Sequence, residues 1–208
     1  GLLSTLHLNG RKKPLYIYAP PAIKEILETQ FLHSDTHLRY SIHYFPINSS
    51  QPEVIFSNDD LTVETLILNH RVPCTGFKFT EKKRLRKLLI DKLEHDKIPV
   101  DYYRLLKRGV DIQLTEGSSI KYTDYTIDSP EPKVYCYCSD TKYDEGYFQQ
   151  IKGADTLYHE ATFMHELLDR AIETHHTTAL QAAQIAKMAH VKKLLIGHFS
   201  SRYKILLP

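Results

Sequence analysis

The chain has 208 residues, 42% hydrophobic and 25% charged, with a net charge of +2, an ordinary composition for one large globular domain or one domain carrying an inserted module. No apolar run approaches 18 residues and no charged-then-apolar leader is present, so neither a membrane span nor an export signal is predicted and the cytoplasm is the expected location. Cys74, Cys136 and Cys138 show no Cys-x-x-Cys spacing, which argues against a disulfide framework or a zinc ribbon.

In chain order, "GLLSTLHLNG" reads as a short helix stopped by Gly10, a residue suited to a left-handed cap. "LYIYA" (15–19) reads as a strand, and Pro20-Pro21 open a helix through "AIKEILETQFL". Runs of strand length rich in β-branched and aromatic residues follow: "YSIHYFPI", "EVIFS", "LTVETLILNH" and "CTGFKFT". From Glu81 the period changes. Leu85, Leu88, Leu89 and Leu93 recur at helical spacing among lysines and arginines, which predicts an amphipathic helix over 82–95. "IPVDYYRLLKRG" predicts a turn and a shorter helix, and "SSIKYTDYTI" a return to strand.

The last third alternates more cleanly. Strand "KVYCYC" (133–138) is followed by a helix near "EGYFQQIKG", strand "DTLYHEA", helices "MHELLDRAIE" and "ALQAAQIAKMAH", and the final strand "KKLLIG". This order predicts neighbouring strands with right-handed crossovers. Asp140, His159-Glu160 and His198 would then lie at the carboxyl ends of three strands, on one rim of one sheet, where open α/β folds carry their chemistry.

Charge is unevenly spread. Residues 78–108 hold eleven Lys/Arg against five Asp/Glu, a surplus of six, so the remainder stands at −4. A basic insert between two strands, about 78–112, is the candidate for a separate module. Lys82, Lys83, Arg84, Arg86 and Lys87 suit phosphate contacts, the plain alternative being a solvated helix face. Tyr102 and Tyr103 beside Arg104 offer stacking surface. A nucleic acid is the favoured partner.

Two constellations suit catalysis. His70, Asp140 and His198 each end a strand, and two imidazoles with a carboxylate are donors that zinc accepts; singly, each also reads as a structural histidine or a turn aspartate. Glu160 and His176 form the second, a carboxylate holding an imidazole that serves as general acid. Thr177 or Thr178 is the expected N-cap of "ALQAAQIAKMAH". Cys136 and Cys138 alternate on one strand and read as core.

"NHRVPCTGF", "SDTKY", "YHEATF", "HTTALQAAQIAK" and "LLIGHFSSRY" resemble, in order and context, the ribonuclease Z family of tRNA 3′-processing endonucleases in the metallo-β-lactamase superfamily. The opening twenty residues are similar too, and the HEAT-like phrase and "GHFSSRY" are its most specific parts. The resemblance implies an α/β, metallo-β-lactamase-like αββα sandwich over 1–208 with the arm at 78–112 inserted in it. It implies two zinc ions and hydrolysis of precursor tRNA after the discriminator nucleotide, leaving a 3′-hydroxyl on the tRNA and a 5′-phosphate on the trailer. His70 and His198 would be metal ligands, Asp140 would bridge the metals, Glu160 and His176 would be the proton-donating pair, and Arg202 would lie near the scissile phosphate. The basic insert would match the arm that clasps tRNA across a homodimer.

Two departures bear on these expectations. The family's His-x-His-x-Asp-His motif is absent, and the chain starts at Gly1 without Met and ends on "KILLP", so both ends read as cut, the sandwich as incomplete and the chain by itself as inactive. Val100-Asp101 stands where the family's arm has Gly-Pro. The alternatives are a hydrolase of small phosphodiesters or lactones on the same fold, which would need no arm, and a chain that only binds RNA.

Overall fold

The structure, a computed structural model, describes residues 1–114 and 117–203; the closing "KILLP" lies outside the described residues. The elements in chain order are α1 (Leu2–Leu8), β1 (Leu15–Ala19), α2 (Ala22–His33), β2 (Ile42–Pro46), β3 (Val54–Ser57), β4 (Leu61–Leu68), β5 (Cys74–Glu81), β6 (Lys87–Leu88), α3 (Ile90–His95), α4 (Tyr103–Lys107), β7 (Ile112–Gln113), β8 (Ser119–Ile120), α5 (Tyr122–Tyr125), β9 (Thr126–Ile127), β10 (Val134–Cys138), α6 (Phe148–Ile151), β11 (Thr156–Glu160), α7 (Leu168–Glu173), α8 (Ala179–Met188) and β12 (Leu194–Gly197). They divide into two compact units: residues 1–57, 62–79 and 134–208 in the first, and 58–61 with 80–133 in the second.

The first unit is built on a sheet of order β12-β11-β10-β5-β4-β3. β10, β11 and β12 run parallel, with Cys138 opposite His159 and Glu160 opposite Gly197. Their carboxyl ends therefore share one edge, as the alternating order of the last third predicts. β3 is antiparallel to β4. A second, two-stranded parallel sheet pairs β1 with β2, and α2 connects them.

Leu66 and Leu68 of β4, Cys136 and Cys138 of β10 and Leu157 of β11 pack with Ile151 of α6 and Ile185 and Ala186 of α8 in one buried cluster. Each fully buried Leu or Ile contributes about 1.5–3 kcal/mol relative to exposure. The two cysteines are core residues, as their alternation predicts. Burial pushes the Cys136 thiol up to about 11 and the Cys138 thiol higher still. Packing between β5 and β10 is close: a Cβ at Gly76 would lie 2.5 Å from the Tyr137 carbonyl oxygen. α8 starts with a capping box, in which Thr178 Oγ1 accepts from the Gln181 N–H and the Gln181 side chain accepts from the Thr178 N–H.

The second unit departs from the sequence reading. Only Ile90–His95 of the expected helix over 82–95 is α-helical, whereas 82–86 is irregular and Lys87–Leu88 form β6, antiparallel to β9. Tertiary contacts override the leucine period. The Arg86 N–H donates to the Lys107 carbonyl, its guanidinium lies over the Tyr122 ring and donates to Thr126 and Asp128, and Leu85 faces solvent. "SSIKYTDYTI" is strand only at its ends, with the helical turn α5 between.

Leu93, Leu106 and Ile112 form this unit's core, against which Leu88, Ile98, Tyr102, Tyr103 and Tyr122 pack. Tyr102 and Tyr103, expected to offer stacking surface beside Arg104, are partly buried and pack against this core. The 80–133 segment of this unit is closed near its ends by one hydrogen-bonded rung: the Glu81 N–H donates to the Lys133 carbonyl, and the Lys133 N–H donates to the Glu81 carboxylate, both at 2.9 Å.

Candidate metal and proton-transfer site

Four chain segments converge at the carboxyl edge of the parallel strands. Asp140 follows β10 by two residues, Glu160 ends β11, His198 follows β12 directly, and His176 precedes α8. The end of β4 joins them: the Asn69 N–H donates to Thr141 Oγ1, and the Lys142 N–H donates to the Asn69 carbonyl at 2.7 Å. Asp144 ties the same loop down by accepting from the Asn69 amide and the Gly146 N–H. These bonds hold its carboxyl below the usual carboxylate range.

Glu160 is fully buried. Its Oε1 accepts from His176 Nδ1 at 2.8 Å, from the Thr177 N–H at 3.1 Å and from the Thr141 N–H at 3.2 Å. Its Oε2 accepts from the Thr162 N–H at 2.9 Å and from the Thr162 hydroxyl at 2.7 Å. A buried carboxylate is stable only with such a complement of donors.

Each of the three expected histidines is anchored through Nδ1 to a different inner acceptor. His176 donates to Glu160, His70 to the His175 carbonyl at 2.9 Å, and His198 to Thr162 Oγ1 at 2.9 Å. Fixing Nδ1–H in this way leaves each Nε2 lone pair as the outward donor, the arrangement that orients metal-ligating imidazoles. His175 and His198 hold φ values of 58° and 60°, a left-handed backbone uncommon outside glycine and concentrated at functional sites.

Asp140, His176 and His198 each bring one ligand-capable atom within 4.8 Å of the other two. His198 Nε2 faces Asp140 Oδ1 at 3.2 Å. Two facing lone pairs call for a shared proton or a cation. Ligand atoms about 2.0–2.1 Å from a tetrahedral zinc stand roughly 3.3 Å apart, so this donor set fits a metal. His70 lies outside that trio, its ring centroid 5.2 Å from that of His176. Arg202 lies with its guanidinium 5.3 Å from the Phe163 ring centroid and donates to Ser200 Oγ, while the Tyr203 hydroxyl accepts from the Met164 N–H.

Among the five expected phosphate-binding cations, Lys83 pairs with Glu131 and Arg86 with Asp128, and the Lys82 N–H donates to the Asp60 carbonyl at 2.7 Å. Lys82, Arg84 and Lys87 are exposed.

The chain is 45% identical over 205 residues to ribonuclease Z of Cytophaga hutchinsonii, covering 98% of this chain and 65% of that protein. It is 42% identical over 205 residues to ribonuclease Z of Bacteroides fragilis, covering 98% and 67%. The chain belongs to the ribonuclease Z family. It spans about two thirds of the length of these curated relatives, and no family model matches it. Among solved structures it is similar to human tRNase Z, short form (TM-score 0.64, 23% identity, 98% of this chain and 67% of that one). It is also similar to the metallo-beta-lactamase fold protein YhfI from Bacillus subtilis (TM-score 0.54, 20% identity, 97% and 58%). These likenesses identify the fold as the metallo-β-lactamase type of α/β architecture.

In this ribonuclease Z family member, sequence reasoning missed the threonines that brace the site. Thr141, Thr162 and Thr177 are buried and bond to Glu160, and the Thr177 hydroxyl also donates to the Thr141 carbonyl. The available signal was positional, since a threonine stands one or two residues after Asp140, Glu160 and His176.

Proposed function

We propose that the protein is a metal-dependent endoribonuclease that removes the 3′ trailer of precursor tRNA by hydrolysing the phosphodiester after the discriminator nucleotide. The observation that carries this reading is the pair of buried Glu160 and half-buried His176 beside the Asp140–His198 donor set, on a chain of the ribonuclease Z family. Asp140, His198 and His70 are the residues that would hold metal, with zinc expected. Divalent ions bound there would supply Lewis-acid stabilisation of phosphate charge and activation of water at neutral pH.

The chain's own residues would handle position and proton. With Nδ1–H committed to Glu160, the His176 ring is held in one orientation, and the adjacent carboxylate stabilises its protonated form. A proton on Nε2 would then pass to the leaving 3′-oxygen of the tRNA as the P–O bond breaks. Arg202 would donate to the non-bridging phosphate oxygens. Lys82, Lys83, Arg84, Arg86 and Lys87 would contact the tRNA backbone, and a homodimer would carry this contact across subunits.

The test is to incubate the full-length protein with a 3′-extended precursor tRNA and zinc or manganese. A single cut after the discriminator that leaves a 3′-hydroxyl is expected. A 3′-phosphate product, or no preference for that bond, would reject the reading.

The closeness of His176 to Asp140 and His198 favours a second reading, in which His176 is a ligand and not the acid. His176→Ala separates the two. As the acid, it would leave metal content unchanged and slow cleavage by about 10²–10⁴-fold; as a ligand, it would lower the bound-metal stoichiometry itself.

A further inference from the structure

We propose that Thr162 is a positioning residue that sets the tautomer of His198 and couples it to the Glu160–His176 pair. The inference rests on His198 being a metal ligand, as in the reading above. Thr162 is 7% exposed and follows β11 by two residues. The loop carrying it is tied down on two sides. The Ala161 N–H donates to the Gly197 carbonyl, and the Ser200 N–H donates to the Thr162 carbonyl; on the other side the Ala179 N–H donates to the Phe163 carbonyl. Its hydroxyl is therefore held between the segment bearing His198 and the segment bearing His176.

Counting protons determines the direction of each bond. A threonine hydroxyl has one proton and two lone pairs. Glu160 Oε2 as a carboxylate only accepts, and it lies 2.7 Å away, so it takes the hydroxyl proton. His198 Nδ1, 2.9 Å from the same oxygen, must then be the donor. His176 Nδ1 approaches that oxygen at 3.3 Å but has its shorter bond, 2.8 Å, to Glu160 Oε1. One hydroxyl thus forces Nδ1–H on His198 and turns its Nε2 lone pair toward Asp140. It also adds a donor to the carboxylate that orients His176. Without the hydroxyl, His198 is deprived of this inner acceptor and is free to put its proton on Nε2, the atom a metal needs bare.

The experiment uses the full-length protein with Thr162→Val and Thr162→Ala, which remove the hydroxyl with and without most of its volume, and Thr162→Ser, which keeps it. Nitrogen-15 spectra of the imidazoles in metal-free protein report the His198 tautomer. Competition for Zn²⁺ against a chromophoric chelator reports affinity without any RNA. Loss of the His198 Nδ1–H signature and a zinc affinity weaker by roughly 10–100-fold are expected in the Val and Ala variants, with a fall in kcat at unchanged KM. The Ser variant should restore all three. A Val or Ala variant that keeps both tautomer and zinc affinity would overturn the proposal, as would a Ser variant impaired as much as Val and Ala. If wild type fails to cut tRNA yet the tautomer still shifts in Val and Ala, the functional reading falls and the role of Thr162 stands.

Discussion

His159 and Glu160 are adjacent in sequence and both fully buried, and each is accommodated by the opposite device. Glu160 is surrounded by donors, whereas His159 is held neutral between one acceptor and one donor. Its Nδ1–H goes to the Glu160 carbonyl at 2.6 Å, and its Nε2 accepts from the Tyr147 hydroxyl at 2.9 Å. Burial is the main cause that pulls its pKa below the ordinary 6.5. The unfolded chain takes up a proton there as pH falls through about 6.5, and the native state only at lower pH. The unfolded state then binds more protons, so stability drops on acidification from pH 7 toward 5, by at most about 1.4 kcal/mol per pH unit from this one group. His159→Gln removes the titrating ring. Urea midpoints at pH 7.5 and 5.5 should fall further apart for wild type than for this variant, and an equal separation would mean His159 does not contribute.

Among the elements, the strands of the last third and α8 are legible in the sequence because each combines a short apolar run with its own turn or cap signal, such as Thr178 followed by Gln181. Their parallel order alone puts Asp140, Glu160 and His198 on one edge. The helix expected over 82–95 fails because Leu85 matches the period without being buried, and because Arg86 is held by Thr126 and Asp128, forty residues or so along the chain. The bracing threonines are illegible for a similar reason: Thr141 and Glu160 are 19 residues apart in sequence, and Thr162 and His198 are 36. Spacing cannot report such pairs. Close strand packing gives its own test. At Gly76→Ala the new methyl would meet the backbone oxygen of Tyr137 on β10, which cannot rotate away. A destabilisation of about 1–3 kcal/mol or more is expected in the urea midpoint. A change below roughly 0.5 kcal/mol, the size seen for surface substitutions, would show that the strands separate freely.

For the whole molecule, charge is more evenly balanced over the second unit than over residues 78–108. The second unit, 58–61 with 80–133, holds twelve Lys/Arg and twelve Asp/Glu and carries no net charge. Any grip on RNA must then come from where cations stand and not from an overall field. Replacing Lys82, Arg84 and Lys87 together by alanine should weaken binding of precursor tRNA and lower its salt slope by about one for each phosphate no longer neutralised. Turnover of a small phosphodiester should be unaffected. Equal impairment of both activities would point to a fold defect, and an unchanged salt slope would remove these residues from the RNA interface.

The rung between Glu81 and Lys133 bears on descent. The peptide leaves and returns at adjacent positions of that rung, with one further backbone bond from the Lys82 N–H to the Asp60 carbonyl, while β5 and β10 are neighbours in the sheet. Between relatives that segment is therefore a natural unit to exchange, and a laboratory graft has cut points at the same two residues.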